Sequence, residues 1–143
     1  MHAASCLFCD FATGAAPCHE VYRSDGVLAF LDNAPIRPGH VQIVPLRHVE
    51  TFDLLEDTES AEIMGLAKRL ACLQKRLFRT DRVAFLFTGG DIAHAHAHLF
   101  PMQQKDDITS RRYIRNTDLT FRSLPAEADA ALADMAARLS AAL

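Results

Sequence analysis

The sequence predicts an α+β fold in which an antiparallel five-stranded sheet carries one long helix and a C-terminal helix. Short apolar runs separated by turn residues predict the sheet, and a long segment with apolar residues at three- and four-residue steps predicts the helix. The strands are grouped along the chain instead of alternating with helices, which favours antiparallel pairing.

The first three strands are defined by the turns between them. Residues 20–24 and 27–32 are apolar runs separated by Asp25 and Gly26, a pair typical of two-residue hairpin turns. A loop rich in proline and glycine follows, and residues 41–44 then form a third strand that stops at Pro45.

The remaining elements are a long helix, two strands and a terminal helix. The apolar face of residues 57–78 repeats at helical spacing, and Asp57 or Thr58 can cap the start of this helix. Strands are expected at 83–88 and 93–100. The alanine-rich end predicts a docking helix over 125–142, with Pro125 at its first position.

Composition limits the classes of partner. A chain of 143 residues suits a single domain, and a formal charge of -3 argues against nucleic-acid polymers and anionic membrane surfaces, which require a basic face. We find no apolar stretch of the roughly 20 residues that a membrane helix needs, and no signal-peptide pattern at the start. We therefore expect a cytoplasmic protein without a membrane partner.

Three histidines mark the candidate site. His94, His96 and His98 alternate within the expected strand 93–100, so all three imidazoles should share one face of the sheet. A lone histidine is commonly a core or surface residue. A row of three instead indicates nucleophilic attack, proton transfer or metal binding.

Two cysteines mark a second site. Cys6 and Cys9 are separated by two residues, a gap that allows both thiolates to reach one metal ion or to form a redox pair. The redox interpretation is disfavoured because no thioredoxin-like helix is expected after Cys9. A closed zinc site would need two further ligands, commonly imidazoles.

Several blocks, in order, resemble the histidine triad family. They are the alternating histidines followed by Leu99 and Phe100, the Cys6–Cys9 pair, and the segments 27–32, 38–40 and 44–48. The resemblance covers most of the first hundred residues and fades after Pro101. It implies one domain over residues 1–143, with a core of about 5–103 and a variable tail that contains the terminal helix.

The resemblance implies a nucleotide hydrolase or nucleotidyl transferase. In that family the middle histidine, here His96, attacks the nucleoside-linked phosphorus of a dinucleoside polyphosphate or nucleoside phosphoramidate and forms a covalent nucleotidyl-histidine. Imidazole suits this step because its neutral form is abundant near pH 7. His94 and His98 would orient His96 and bind phosphate oxygens.

The nucleotide-binding residues follow from the same resemblance. Asp32 matches the family's acidic residue and would accept hydrogen bonds from ribose hydroxyls, while Gly89 and Gly90 let backbone N–H groups approach the phosphate. Many members carry Gln and Ser where this chain has Gly90 and Asp91. Asp91 is therefore placed among the expected nucleotide-binding residues, and the difference leaves the identity of the leaving group open.

The zinc-bearing branch of the family implies that His48 and His94 complete a structural zinc site with Cys6 and Cys9. The family also implies a homodimer with sheets joined edge to edge, and no organic cofactor is expected. His40 is interpreted as a local structural residue.

Two alternatives stay open. One is a metal-dependent hydrolase in which His94, His96 and His98 are the metal ligands. The other is a non-catalytic nucleotide-binding or interaction module, which the unusual Gly90 and Asp91 keep in consideration.

Overall fold

The computed structural model describes residues 6–89, 92–103 and 125–143. In chain order the elements are helix α1 (Leu7–Thr13), strands β1 (Glu20–Arg23), β2 (Val27–Leu31) and β3 (Val41–Pro45), a 3-10 turn (Phe52–Leu54), helix α2 (Asp57–Phe78), strands β4 (Val83–Phe87) and β5 (Ala97–Pro101), and helix α3 (Asp129–Ala141). 

The five strands form one antiparallel sheet in the order β1-β2-β3-β5-β4, which confirms the predicted fold class. β3 is the central strand. Its register places Gln42 opposite Phe30 of β2 on one side and opposite His98 of β5 on the other. Residues far apart in sequence are thereby brought to one end of the sheet.

The two faces of the sheet pack against different helices. One face is covered by α2 and α3 and forms the larger core, in which Ile43, Leu70 and Leu139 are fully buried. The other face is covered by α1, whose Phe8 joins Leu28, Phe30 and Val44 in a second apolar cluster. Since alternate residues of a strand point to opposite faces, β2 and β3 supply residues to both cores.

Helix α2 has the predicted bounds, but its cap differs. The N-cap residue is Glu56, whose backbone N–H donates to the Glu59 carboxylate at 2.9 Å, the reciprocal arrangement of a capping box. The predicted cap at Asp57 or Thr58 is wrong, because both residues already lie inside the first turn.

Two other helices differ from the sequence prediction. α1 was not predicted, and α3 begins at Asp129 instead of Pro125, which lies in an irregular segment before the helix. Within residues 6–89, 92–103 and 125–143, no helix combines the length and apolar character needed to cross a membrane.

Candidate active site and metal cluster

The three alternating histidines do not share one strand. β5 begins at Ala97, so only His98 belongs to the sheet, and the predicted strand 93–100 is too long. The preceding segment bonds elsewhere: the Ala95 N–H donates to the Val49 carbonyl at 2.6 Å. As a result each imidazole has its own surroundings.

His94 faces the cysteines. Its Nε2–H donates to the Pro45 carbonyl at 2.9 Å, which leaves Nδ1 unprotonated in the neutral ring. That Nδ1 lies 3.4 Å from the Cys6 sulfur and 3.6 Å from the Cys9 sulfur. The residue is fully buried, and burial lowers its pKa. His94 is therefore held in the tautomer that a metal ligand requires.

Four side chains converge at this point. The potential ligand atoms of Cys6, Cys9, His48 and His94 all lie within 4.8 Å of one another, and the His48 Nδ1 is 3.3 Å from the Cys9 sulfur. Burial and the nearby Cys6 raise the pKa of the Cys9 thiol to about 11. Two sulfurs and two imidazole nitrogens are the donor set of a tetrahedral zinc site, and a bound cation would favour the thiolates.

Helix α1 places the two cysteines. It starts directly after Cys6 and carries Cys9 in its first turn, so the two side chains lie on the same side. The expectation that no helix accompanies this pair is wrong, and the argument built on it against a redox pair fails. The two imidazoles beside the sulfurs are the evidence that favours a metal site.

His96 has the geometry of a nucleophile. Its Nδ1–H donates to the carbonyl of His94 at 2.6 Å, so the lone pair of the neutral ring is on Nε2. This Nε2 has no hydrogen-bond partner in the described part of the chain. The ring lies against Phe8, with ring centroids 5.2 Å apart, and beside His98, with centroids 5.0 Å apart. The residue is 6% exposed.

His98 is oriented by His40, which sequence reasoning assigned no role in the site. The Ile36 N–H donates to Nδ1 of His40 at 3.2 Å, so the His40 proton is on Nε2 and is donated to Nδ1 of His98 at 2.9 Å. Burial lowers the pKa of His40 to about 4 and also lowers the pKa of His98. His98 therefore presents an Nε2–H, which lies 3.4 Å from the Thr88 hydroxyl.

Asp32, His40 and His98 form a second group, whose potential ligand atoms lie within 4.8 Å of one another. A metal ion here would need the Nε2 lone pair of His40. The Ile36 N–H already occupies the Nδ1 lone pair, which places the His40 proton on Nε2. This group is therefore a hydrogen-bonded network and not a metal site.

Asp32 follows β2 directly and lines a cleft of about 410 Å³, within the size range of small-molecule sites. Its Oδ1 accepts the Ala34 N–H at 2.8 Å, and its Oδ2 accepts the Gln42 amide at 2.6 Å. The walls of the cleft are largely apolar and include Phe8 and Phe30.

The glycine turn is only partly described. Gly89 has a positive φ of 61°, a conformation that favours glycine. Gly90 and Asp91, both predicted to bind nucleotide, lie outside the described residues.

The family model of the HIT domain matches residues 13–105. The chain belongs to the histidine triad (HIT) family. An uncharacterised HIT-like protein of Methanocaldococcus jannaschii is 34% identical over 123 residues, covering 80% of this chain and 92% of that protein. An adenosine 5′-monophosphoramidase of Schizosaccharomyces pombe is 30% identical over 71% of this chain and 77% of its own length.

An adenylylsulfatase of Arabidopsis thaliana is 26% identical over 80% of this chain and 60% of that protein. Among solved structures, a HIT-like protein of Bartonella henselae has a TM-score of 0.77 at 20% identity, covering 99% of this chain and 98% of its own. A zinc-bound histidine triad protein of Mycobacterium smegmatis has a TM-score of 0.70 at 23% identity, covering 96% of this chain and 92% of its own. These neighbours show the HIT fold.

In this HIT protein the start of α3 forms the far wall of the cleft. His19 Nε2 lies 2.9 Å from the Asp129 carboxylate, and the Glu127 N–H donates to the Asn33 carbonyl at 2.8 Å. Both contacts join the C-terminal segment to the ends of β1 and β2. The terminal helix, predicted from sequence only as a docking element, thus also lines the candidate binding site.

Proposed function

We propose that this HIT protein is a nucleotide hydrolase or nucleotidyl transferase that cleaves at the nucleoside-linked phosphorus through a covalent intermediate on His96. The observation that carries this proposal is the tautomer of His96, whose Nδ1–H is held by the His94 carbonyl while Nε2 keeps its lone pair. Relatives named as an adenosine 5′-monophosphoramidase and an adenylylsulfatase support a nucleotide substrate.

In the first step the Nε2 of His96 bonds to phosphorus, and the bond to the leaving group breaks with its electron pair going to that group, which takes up a proton. The imidazole becomes cationic, and its Nδ1–H stays bonded to the His94 carbonyl, which stabilises the charge. In the second step water or another hydroxyl acceptor attacks phosphorus and releases a proton to solvent, which balances the proton that the leaving group took from solvent. The P–N bond breaks, and Nε2 regains its lone pair.

The neighbouring groups bind and orient the substrate. The Nε2–H of His98 is directed by His40 and would donate to a non-bridging phosphate oxygen, where charge stabilisation matters most. Asp32 would accept ribose hydroxyls, and the apolar walls at Phe8 and Phe30 would hold the base.

A quenched single-turnover reaction tests the covalent step. The protein is mixed with adenosine 5′-phosphoramidate, adenylyl sulfate or a dinucleoside polyphosphate, quenched in milliseconds to seconds, digested and analysed by mass spectrometry. We expect the added mass of a nucleoside monophosphate on His96, and the other six histidines serve as internal controls. His96→Ala should abolish both adduct and turnover.

Three results would contradict this mechanism. Rapid turnover with no adduct at any time would exclude the covalent route. Loss of activity with a chelator and its return with added metal, again without an adduct, would favour a metal-dependent hydrolase. Binding of nucleotides without turnover across the substrate panel would favour a non-catalytic module. The metal-dependent hydrolase is weakened by the directions of the rings, since Nδ1 of His94 faces the cysteines and Nδ1 of His98 faces His40.

We further propose that Cys6, Cys9, His48 and His94 hold a structural zinc ion. Their donor atoms and the tautomer of His94 fit such an ion, which would fasten α1 to the segment that carries His96. The zinc-bound histidine triad neighbour is consistent with this proposal. No step of the proposed reaction uses the metal.

The homodimer remains a proposal as well. β1 and β4 are the two edge strands of the sheet, and each pairs with one neighbour within the described residues. The side chains of β4 are only half-buried along its whole length. Pairing of a second copy along an edge would cover backbone groups that otherwise invite aggregation.

A further inference from the structure

Gln42 is a polar residue in an apolar environment. It is the second residue of β3, its strand neighbours Val41 and Ile43 are buried, and it is itself only 9% exposed. The same face of the sheet carries the apolar cluster that contains Phe8 and Phe30. A leucine or methionine would suit this position better, because it would bury no amide.

The cost of this amide is visible in its hydrogen bonds. A carboxylate only accepts, so the amide must turn its Nε2 toward Asp32, and the two atoms are 2.6 Å apart. The Oε1 then points away from Asp32, is buried, and has no partner among the described residues. An unsatisfied buried carbonyl destabilises a folded protein, so stability does not explain this residue.

The amide instead holds the Asp32 carboxylate in one orientation. The Ala34 N–H donates to Oδ1 and the Gln42 amide to Oδ2, so each oxygen has one donor among the described residues. Each carboxylate oxygen accepts about two hydrogen bonds. One acceptor position on each oxygen therefore remains for a ligand in the cleft that Asp32 and Gln42 both line.

Two adjacent acceptors on a fixed carboxylate match two adjacent hydroxyl donors. We propose that Gln42 is a positioning residue that makes Asp32 selective for the 2′,3′-diol of a ribonucleotide over a 2′-deoxynucleotide. This inference rests on the proposed nucleotide function of the cleft and adds a specificity determinant to it.

Binding of reaction products tests the inference without requiring turnover. Calorimetry would give the Kd of AMP, 2′-deoxy-AMP and 3′-deoxy-AMP for the wild-type protein and for Gln42→Met, which keeps the shape of the side chain but has no donor. We expect the wild type to prefer AMP by roughly 10- to 100-fold, the range for one hydrogen bond to a charged group. In Gln42→Met this ratio should fall to nearly one.

Stability separates positioning from a merely structural role. Gln42→Met removes the unsatisfied carbonyl, so its midpoint of urea unfolding should equal or exceed that of the wild type while selectivity is lost. Gln74→Met is the matched control, because Gln74 is also buried with an unsatisfied Oε1, but its Nε2 bonds to the Gly39 carbonyl at 2.9 Å. Gln74→Met leaves the buried Gly39 carbonyl without its donor, whereas the Asp32 carboxylate in Gln42→Met borders the cleft and can be hydrated there. Gln74→Met should therefore lower stability and leave the ribose-to-deoxyribose ratio unchanged.

The outcomes distinguish this inference from the proposed function. Preference for AMP in the wild type that persists in Gln42→Met would overturn the role of Gln42 and leave the nucleotide function intact. Equal affinity of the wild type for AMP and 2′-deoxy-AMP would overturn the proposal that Asp32 selects the 2′,3′-diol. Turnover assays with ribose and 2′-deoxyribose phosphoramidates give a further readout. If Gln42→Met loses selectivity through KM and retains kcat, the result supports a positioning role for Gln42. Failure to bind AMP and to form an adduct would overturn the proposed function itself.

Discussion

Acid should destabilise this protein through His40, a histidine that the fold keeps neutral. Burial lowers the pKa of His40 from 6.5 to about 4, and the nearby Asp32 carboxylate only partly opposes this effect. As the pH falls below 6.5 the unfolded chain takes up a proton at His40, whereas the folded protein does so only near pH 4. Between pH 6.5 and about pH 4 the unfolded state therefore binds more protons than the folded state, so the free energy of unfolding falls as the pH falls through this range. Above pH 6.5 the full contribution of His40 to stability is present.

The loss of stability in acid can be calculated from the size of the pKa shift of His40. Each pKa unit corresponds to about 1.4 kcal/mol, so a shift from 6.5 to about 4 amounts to roughly 3 kcal/mol of unfolding free energy. Burial lowers the pKa of His94 and His98 in the same direction, so the total loss in the wild-type protein should exceed that of His40 alone.

The comparison variant is His40→Gln. Glutamine retains a donor toward His98 and an acceptor for the Ile36 N–H, but it does not titrate. Urea unfolding of both proteins at pH 7, 6, 5 and 4 gives the difference in stability at each pH, and contributions from groups that do not interact with His40 cancel in that difference. We expect the wild type to lose roughly 3 kcal/mol more than the variant between pH 7 and pH 4. Parallel curves would refute the assignment of His40 as a buried neutral imidazole.

Three further outcomes are expected. Metal analysis of the purified protein should give about one zinc per chain, falling to near zero in Cys9→Ser with a lower thermal midpoint, whereas Cys72→Ser at an exposed position should change neither. Gly39→Ala should cost roughly 1–3 kcal/mol or more in urea unfolding, because Gly39 has a φ of 87° and a Cβ there would lie 2.5 Å from the Phe78 ring. Gly65→Ala, in a helix with no atom near its Cβ, should instead be neutral or stabilising and serves as the control. Light scattering should give twice the 15.8 kDa chain mass, and a single-chain mass at micromolar concentration would contradict the homodimer.

Elements with local signals were predicted correctly. α2 has the predicted bounds of 57–78, since its apolar face repeats with the helical period over six turns. β2 and β3 lie where the turn residues delimit apolar runs. α1 was missed because its seven residues are too few for a clear period, and its helix is supported by Phe8 packing on the sheet and by the grouping of cysteines and histidines.

The alternation of His94, His96 and His98 marks the candidate site, but the strand it predicts is too long. Alternating alanine and histidine fit a strand, yet the pairing of Ala95 with Val49 depends on a loop about 45 residues earlier, which periodicity cannot reveal. Two signals in the sequence were underused. His40 directly precedes the strand that neighbours His98, and Gln42 interrupts the apolar run Val41 to Val44.

The tautomers of His94 and His96 are set by backbone carbonyls. The Pro45 carbonyl takes the Nε2–H of His94 and leaves Nδ1 for the proposed metal, and the His94 carbonyl takes the Nδ1–H of His96 and leaves Nε2 for the proposed attack on phosphorus. The Ile36 N–H fixes His40, which in turn directs the Nε2–H of His98. Chemically identical side chains are therefore suited to the proposed roles of ligand, nucleophile and donor, because each has different hydrogen-bond partners. His94 links two of these roles, since its ring faces the metal cluster and its carbonyl orients the nucleophile, so a change in the cluster that moves its backbone should also disturb His96.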